Sequence, residues 1–165
     1  MVERRAAVFL DRDGVINRER GEHTWLMEDF EILPDVAEAL KAITTTGKSS
    51  IIISNQSGIG LGYYGHADVE RLHSYLHHEL AAKGAHIDAV YYCPHHPEQG
   101  RCLCRKPGSL LLERAIARYA IDPARSVMIG DRERDVEAAA RVGVKGILVE
   151  PNTSLLDVLR ENRIV

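Results

Sequence analysis

Short apolar runs alternate along this chain with stretches in which apolar residues recur every three or four positions. Ala6-Ala7-Val8-Phe9-Leu10 reads as a buried strand ending on Asp11. Pro34-Asp35 opens a helix to about Thr44, with Val36, Ala39, Leu40 and Ile43 on one face, and Asp35 is expected to serve as its start residue. Ser50-Ile51-Ile52-Ile53-Ser54 predicts a second strand, and the glycines at 58, 60, 62 and 65 predict a flexible loop after it. A long helix follows from His66 to about Lys83, with Leu72, Leu76 and Leu80 in step. His73, His77 and His78 are expected on its solvated face. Further strands are expected at Ile87–Tyr92, Ser126–Ile129 and Gly146–Val149. Helices are expected over Ser109–Tyr119, Glu133–Val142 and Leu155–Glu161. Strands alternating with helices in this way predict an α/β fold, a doubly wound parallel sheet with helices on both faces. The 165 residues are expected to form one domain with no large cap.

In such sheets ligands bind at the carboxyl ends of the strands, so the residues at those ends carry the functional argument. The first predicted strand ends in Asp11-Arg12-Asp13-Gly14-Val15 and the second in Ser54-Asn55-Gln56-Ser57-Gly58. The third leads through a cysteine-containing loop to Arg105-Lys106-Pro107. The fourth ends in Gly130-Asp131-Arg132, with Asp135 close behind. Together these groups suit phosphoryl transfer. Asp11 and Asp131 can share a hard divalent cation such as Mg²⁺, and Lys106 helps offset the repulsion between carboxylates and a phosphate. The Ser54 hydroxyl and the amides near Asn55 can hold equatorial oxygens. One carboxylate of the Asp11/Asp13 pair can attack phosphorus, and the other can exchange protons with the leaving group and with water. Arg105, beside Lys106, and Arg132 can each grip a further phosphate bidentately. Arg12, Asn55, Gln56 and Ser57 complete the candidate substrate-binding set. The segment Arg18–Trp25 is expected to form a short flap over the site, with Trp25 either stacking on substrate or packing the flap.

These motifs, in this order, resemble those of the haloacid dehalogenase superfamily of phosphatases over nearly the whole chain. The resemblance implies that Asp11 is the nucleophile and a Mg²⁺ ligand. It implies that Asp13 is the acid/base and a ligand through its carbonyl, and that Ser54 and Lys106 hold the phosphoryl group. Asp131 would be the third protein ligand, with Asp135 supporting the metal from behind.

The three cysteines, Cys93, Cys102 and Cys104, cluster within one loop, which argues for metal ligation over a disulfide framework. With His95 they supply a tetrahedral zinc set that leaves no open position, as expected of a structural site. His96 is the rival to His95. The run Tyr91-Tyr92-Cys93-Pro94-His95-His96-Pro97, with Cys102-Leu103-Cys104-Arg105-Lys106-Pro107, is similar to the heptose 1,7-bisphosphate 7-phosphatases. That likeness implies removal of the C7 phosphate of D-glycero-D-manno-heptose 1,7-bisphosphate. The histidinol-phosphate phosphatases share the loop, and the short spacing between His95 and Cys102 resembles theirs, so histidinol phosphate is the rival substrate. A catalytically silent zinc-binding module is the alternative of another class.

Composition narrows the partners. A net charge of -3 supplies no field for nucleic acid or an anionic membrane, and no apolar run approaches a membrane span. The expected partner is a small phosphorylated sugar or polyol. The expected state is a monomer in the cytoplasm, since the N-terminal apolar run is too short for a signal-peptide core.

Overall fold

The computed structural model describes residues 3–165. Five strands, β1 (Ala7–Leu10), β2 (Ser49–Asn55), β3 (Ala89–Cys93), β4 (Val127–Gly130) and β5 (Lys145–Leu148), form one sheet in the order β3-β2-β1-β4-β5. Every pairing is parallel. The helices are α1 (Val36–Thr45), α2 (His66–Ala82), α3 (Leu110–Tyr119), α4 (Glu133–Arg141) and α5 (Leu155–Glu161).

Side-chain alternation divides the core in two. Val8 and Leu10 of β1, Ile52 of β2 and Ile129 of β4 pack with α1, α2 and α5. Their neighbours Ala7, Phe9, Ile51, Ile53 and Met128 pack with α3 and α4 on the other face. Each strand is therefore apolar at consecutive positions, as a sheet covered on both sides requires. Strand order reverses on either side of β1, which makes its carboxyl end the switch point of the sheet.

Some elements depart from the sequence reading. The third strand begins at Ala89, not Ile87, and runs on to Cys93. Asp88 causes the late start, because its carboxylate accepts the Ser50 N–H at 2.7 Å. Asp35 is the start residue of α1, as expected, and its carbonyl accepts the Ala39 N–H at 2.9 Å, but its side chain does not cap that helix. Its Oδ2 accepts the Ser154 hydroxyl at 2.6 Å and the Leu156 N–H at 2.8 Å, which ties α1 to the start of α5. The glycine-rich stretch is a closed turn, with Gly62 N–H bonded to the Ile59 carbonyl and Tyr63 N–H to that of Gly58. Gly58 lies against the Tyr64 ring, where a Cβ would collide, so that glycine serves close approach. His73 is buried, not solvated, while His77 is exposed. Among the described residues no helix is long and apolar enough to cross a membrane.

Candidate active site

The end of β1 sets the floor of the site. Asp11 continues the sheet, its N–H bonded to the Ile129 carbonyl at 3.0 Å, and its Oδ1 accepts the Arg12 N–H at 2.9 Å. Gly14 then takes φ +90°, and the chain folds back so that Gly14 N–H reaches the Asn17 carbonyl at 2.7 Å. Any side chain at Gly14 would strike the Asp131 carboxylate, so this glycine is needed both for its φ and for its lack of a Cβ.

Lys106 sits at the centre of the floor and is 2% exposed. Its Nζ donates to Asp11 Oδ1 at 2.9 Å and to the Ile53 carbonyl at 2.6 Å, and it pairs with Asp135 Oδ1 at 2.6 Å. Burial works against its charge, but Asp11 and Asp135 outweigh burial and raise its pKa. Asn55 fixes the lysine backbone from both sides: its Nδ2 donates to the Lys106 carbonyl at 3.1 Å and its Oδ1 accepts the Lys106 N–H at 2.9 Å.

Carboxylates of Asp11, Asp131 and Asp135 each offer an oxygen, and these oxygens lie within 4.8 Å of one another. One lysine cannot neutralise three carboxylates. Burial pushes Asp11 up to about 8 despite the lysine, and burial raises Asp131 as well. Asp131 Oδ2 is buried with no hydrogen-bond partner among the described residues. Asp135 is already committed, with Oδ1 on Lys106 and Oδ2 accepting the Arg132 N–H at 3.0 Å. A crowded oxygen set with an orphaned carboxylate oxygen fits a hard divalent cation between Asp11 and Asp131, with Asp135 bracing from behind.

Asp13 stands apart from that cluster. Its Oδ1 accepts from Arg12 Nη2 at 2.9 Å and from Asn17 Nδ2 at 3.0 Å, and its Oδ2 accepts from Gln56 Nε2 at 3.1 Å. Burial would raise its pKa, but Arg12 and these hydrogen bonds prevail and hold it below the usual carboxylate range.

One expected substrate contact is corrected here. Arg12 does not line the cavity; its guanidinium is buried and turned to protein groups. Its Nη2 is spent on Asp13 and the Thr24 carbonyl, each at 2.9 Å, and its guanidinium lies 5.5 Å from the centre of the Phe30 ring. Asn55 lines the cavity as expected, with its side-chain amide committed to the Lys106 backbone. Ser54 is fully buried and its Oγ accepts from Gln56 Nε2 at 2.8 Å. Gln56 is in turn held by the Tyr64 hydroxyl at 2.8 Å.

Above the floor opens a cavity of about 350 Å³. Asp11, Asp13, Asn55, Gln56, Ser57, Arg105, Asp131 and Arg132 line it, together with flap residues from Glu19 to Thr24. The flap is pinned by Asn152, which accepts the Glu19 N–H at 2.6 Å and donates to its carbonyl at 3.1 Å. Trp25 does not face the cavity; it stacks on Tyr64 at 5.9 Å between ring centres. Arg134, not singled out from sequence, also lines the mouth, as does His96, which the sequence offered only as a rival metal ligand. For Arg134 the usable signal was its place in the first turn of the helix that starts at the end of β4.

Beside the mouth, atoms of Cys93, His95, Cys102 and Cys104 lie within 4.8 Å of one another. His95 Nδ1 is 3.4 Å from Cys93 Sγ and 3.2 Å from Cys104 Sγ, and Cys93 Sγ is 3.8 Å from Cys102 Sγ. His96 is set aside by its own geometry, since its Nδ1 accepts the Glu98 N–H at 3.1 Å. Burial raises Cys93 out of the thiolate range. Cys102 is also disfavoured by burial, yet the Arg105 N–H and neighbouring groups bring it down to about 7. Four soft donors at this spacing fit a tetrahedral metal.

Known proteins agree with this geometry. A family model described as HAD-hydrolase-like matches residues 103–163. A D-glycero-beta-D-manno-heptose-1,7-bisphosphate 7-phosphatase of Helicobacter pylori strain J99 is 42% identical over 150 residues, covering 90% of this chain and 85% of the relative. The chain belongs to the HAD-like hydrolases, in the family of the heptose-1,7-bisphosphate 7-phosphatases. As a member of that family it is a phosphatase. The enzyme of the same name from Haemophilus ducreyi is 39% identical over 145 residues, covering 84% of this chain and 79% of its own. Among solved structures, the D,D-heptose 1,7-bisphosphate phosphatase of B. bronchiseptica, complexed with magnesium and phosphate, superposes with a TM-score of 0.83 at 31% identity. That match covers 94% of this chain and 86% of the other.

Proposed function

We propose that this phosphatase removes the C7 phosphate of D-glycero-D-manno-heptose 1,7-bisphosphate, with Asp11 as nucleophile. The observation that carries the reading is the buried floor, where Lys106 lies 2.9 Å from an Asp11 carboxylate that shares its space with Asp131 and Asp135. The names of the relatives supply the substrate. Asp11, Asp131 and the Asp13 carbonyl would hold Mg²⁺, and a magnesium complex of the B. bronchiseptica neighbour supports that ion. Bound there, Mg²⁺ supplies positive charge that keeps Asp11 ionised and offsets its repulsion of the phosphate.

Asp11 attacks phosphorus and forms an aspartyl phosphate while the C7 oxygen leaves. Asp13 gives that oxygen a proton, then takes one from the water that hydrolyses the acyl phosphate. The donors now around Asp13 favour its ionised form, the form needed for the second half-reaction. For the first half it must carry a proton, so one donor has to yield, and Gln56, at the longest of the three distances, is best placed to do so. Lys106 and Ser54 hold the phosphoryl oxygens, with Gln56 and Ser57 on the cavity wall. Arg105 and Arg132 take the phosphate that remains. Zn²⁺ in the Cys93, His95, Cys102, Cys104 set would fix the loop that delivers Arg105 and Lys106. Residues 1–165 act as one domain and as a cytoplasmic monomer in this reading, which the modest net charge and the reduced, clustered cysteines support.

The test is phosphate release from both anomers of heptose 1,7-bisphosphate, from histidinol phosphate and from a 3′-phosphorylated oligonucleotide, with and without Mg²⁺. Mg²⁺-dependent preference for a heptose bisphosphate is expected. Preference for histidinol phosphate would overturn the substrate.

A further inference from the structure

Three arginines line the cavity: Arg105 from the cysteine loop, and Arg132 and Arg134 from the start of α4. Among the described residues none of the three is in an ion pair. Arg105 Nη1 lies 3.6 Å from Cys102 Sγ, and the charge of Arg132 acts on Asp131, which leaves Arg134 the least engaged of the three. Arg134 also has a cost, since the first turn of a helix already carries the positive end of the backbone dipole and disfavours a cation. Glu133, its neighbour, does not line the mouth. Asp135 of the same turn is committed to Lys106 and the Arg132 N–H, so it gives Arg134 no pair. A residue that goes against a local rule without an ion pair of its own marks a place where function sets the sequence.

Glu19 and Glu22 of the flap line the same cavity, and its floor is acidic. A substrate with one phosphate needs only the floor. For a second phosphate, with the first over Asp11, the cations that line the cavity are Arg105, Arg132 and Arg134.

We infer that Arg134 is a specificity residue that closes with Arg105 and Arg132 on the second, uncleaved phosphate of a sugar bisphosphate. This rests on the bisphosphatase reading of the same cavity. Arg105 approaches from the loop and Arg134 from the helix, so the phosphate is held between two separate elements. Such a grip fixes which end of the substrate lies over Asp11. Guanidinium geometry matters here because two N–H groups can meet two phosphate oxygens, which a lysine cannot reproduce.

Steady-state kinetics with Mg²⁺ on heptose 1,7-bisphosphate and on heptose 7-phosphate test the inference in wild type, Arg134→Ala and Arg134→Lys. Arg134 is exposed, and matching thermal melts will show that the variants fold. The wild type is expected to prefer the bisphosphate. In Arg134→Ala that preference, as a ratio of kcat/KM values, is expected to fall about tenfold, chiefly through KM, with partial recovery in Arg134→Lys. An unchanged ratio, or a loss shared equally by both substrates, overturns the role of Arg134. A wild type that turns over both substrates without preference overturns the second-phosphate site. A wild type that turns over neither overturns the bisphosphatase reading itself, whatever stands at position 134.

Discussion

On the floor of the cavity Lys106 is 2% exposed and touches Asp11, Asp135 and the Ile53 carbonyl; on the rim Arg105, Arg132 and Arg134 reach into the mouth with no acidic partner. The floor packs three carboxylates around one lysine inside the sheet, with Asp131 Oδ2 left without a hydrogen-bond partner among the described residues. The rim is charge held apart on a loop and a helix start, open to water. Buried ionised groups are costly unless every one is paired, so the floor tolerates little change. Exposed charges cost little and can wait for a ligand. In the proposed reading, the protein places its chemistry where geometry is fixed and its selectivity where side chains are free.

The comparison breaks most sharply at Asp11. Asp11→Asn keeps the shape of the floor and removes the attacking oxygen. Turnover is expected to fall at least roughly 10³-fold, while the melting temperature holds or rises, because a buried acid that sits uneasily as an anion has been replaced by a neutral amide. A stopped assay for phosphate and a thermal melt measure both. Turnover within tenfold of wild type would remove Asp11 from the nucleophile role.

A smaller effect is expected at the rim. Cys104→Ser removes one donor of the Cys93, His95, Cys102, Cys104 set, and Arg105 and Lys106 follow that donor directly in the chain. Loss of a metal shell that positions a site costs about 10- to 100-fold, here through misplacement of residues that do no chemistry on the metal. Metal analysis is expected to give about one zinc per wild-type chain and less in the variant. Full activity in a zinc-free variant, assayed with excess Mg²⁺, would separate the loop from the floor.

How much of this was legible in the sequence follows the same division. Asp11, Asp13 and Asp131 were legible because they follow buried strands, and the parallel sheet then had to bring those ends together; Lys106 lies beyond the loop that follows β3. Spacing offered Cys93, Cys102 and Cys104 with His95 or His96, and the fold brings His95 to the three cysteines. Arg12 was misread because it stands between two candidate catalytic aspartates; only the fold shows that its guanidinium turns inward to Asp13 and Thr24. The bracing of Lys106 by the Asn55 side chain was not legible, since the two are 51 residues apart. Arg134 left almost no trace, because an exposed arginine on a helix is ordinary until the cavity beside it is known. His73 was grouped with His77 and His78 on the solvated face, although it lies one turn from both Val69 and Leu76 and so belongs to the buried face.

That buried histidine gives the smallest expected effect and the finest test of the floor. His73 Nε2 lies 3.5 Å from Arg12 Nη1, its ring meets Tyr92 edge-on at 5.8 Å, and His77 follows one turn later on the same helix. Burial, then the Arg12 charge, then His77 bring its pKa down to about 3, with Asp13 opposing. In the unfolded chain the same ring takes up a proton near pH 6.5. Between about pH 6.5 and 3 the unfolded state therefore binds one proton more than the native state, and folding stability falls as the pH falls, by up to about 1.4 kcal/mol per unit. His73→Gln keeps a polar neighbour for Arg12 and has nothing to titrate. Its absolute stability will differ from wild type, so the quantity to compare is the slope. Urea melts from pH 6.5 to 4.5 are expected to show a shallower loss in the variant. Equal slopes would mean that His73 accepts a proton in the folded state, and that the charge of Arg12 is less confined beneath Asp13 than its contacts indicate.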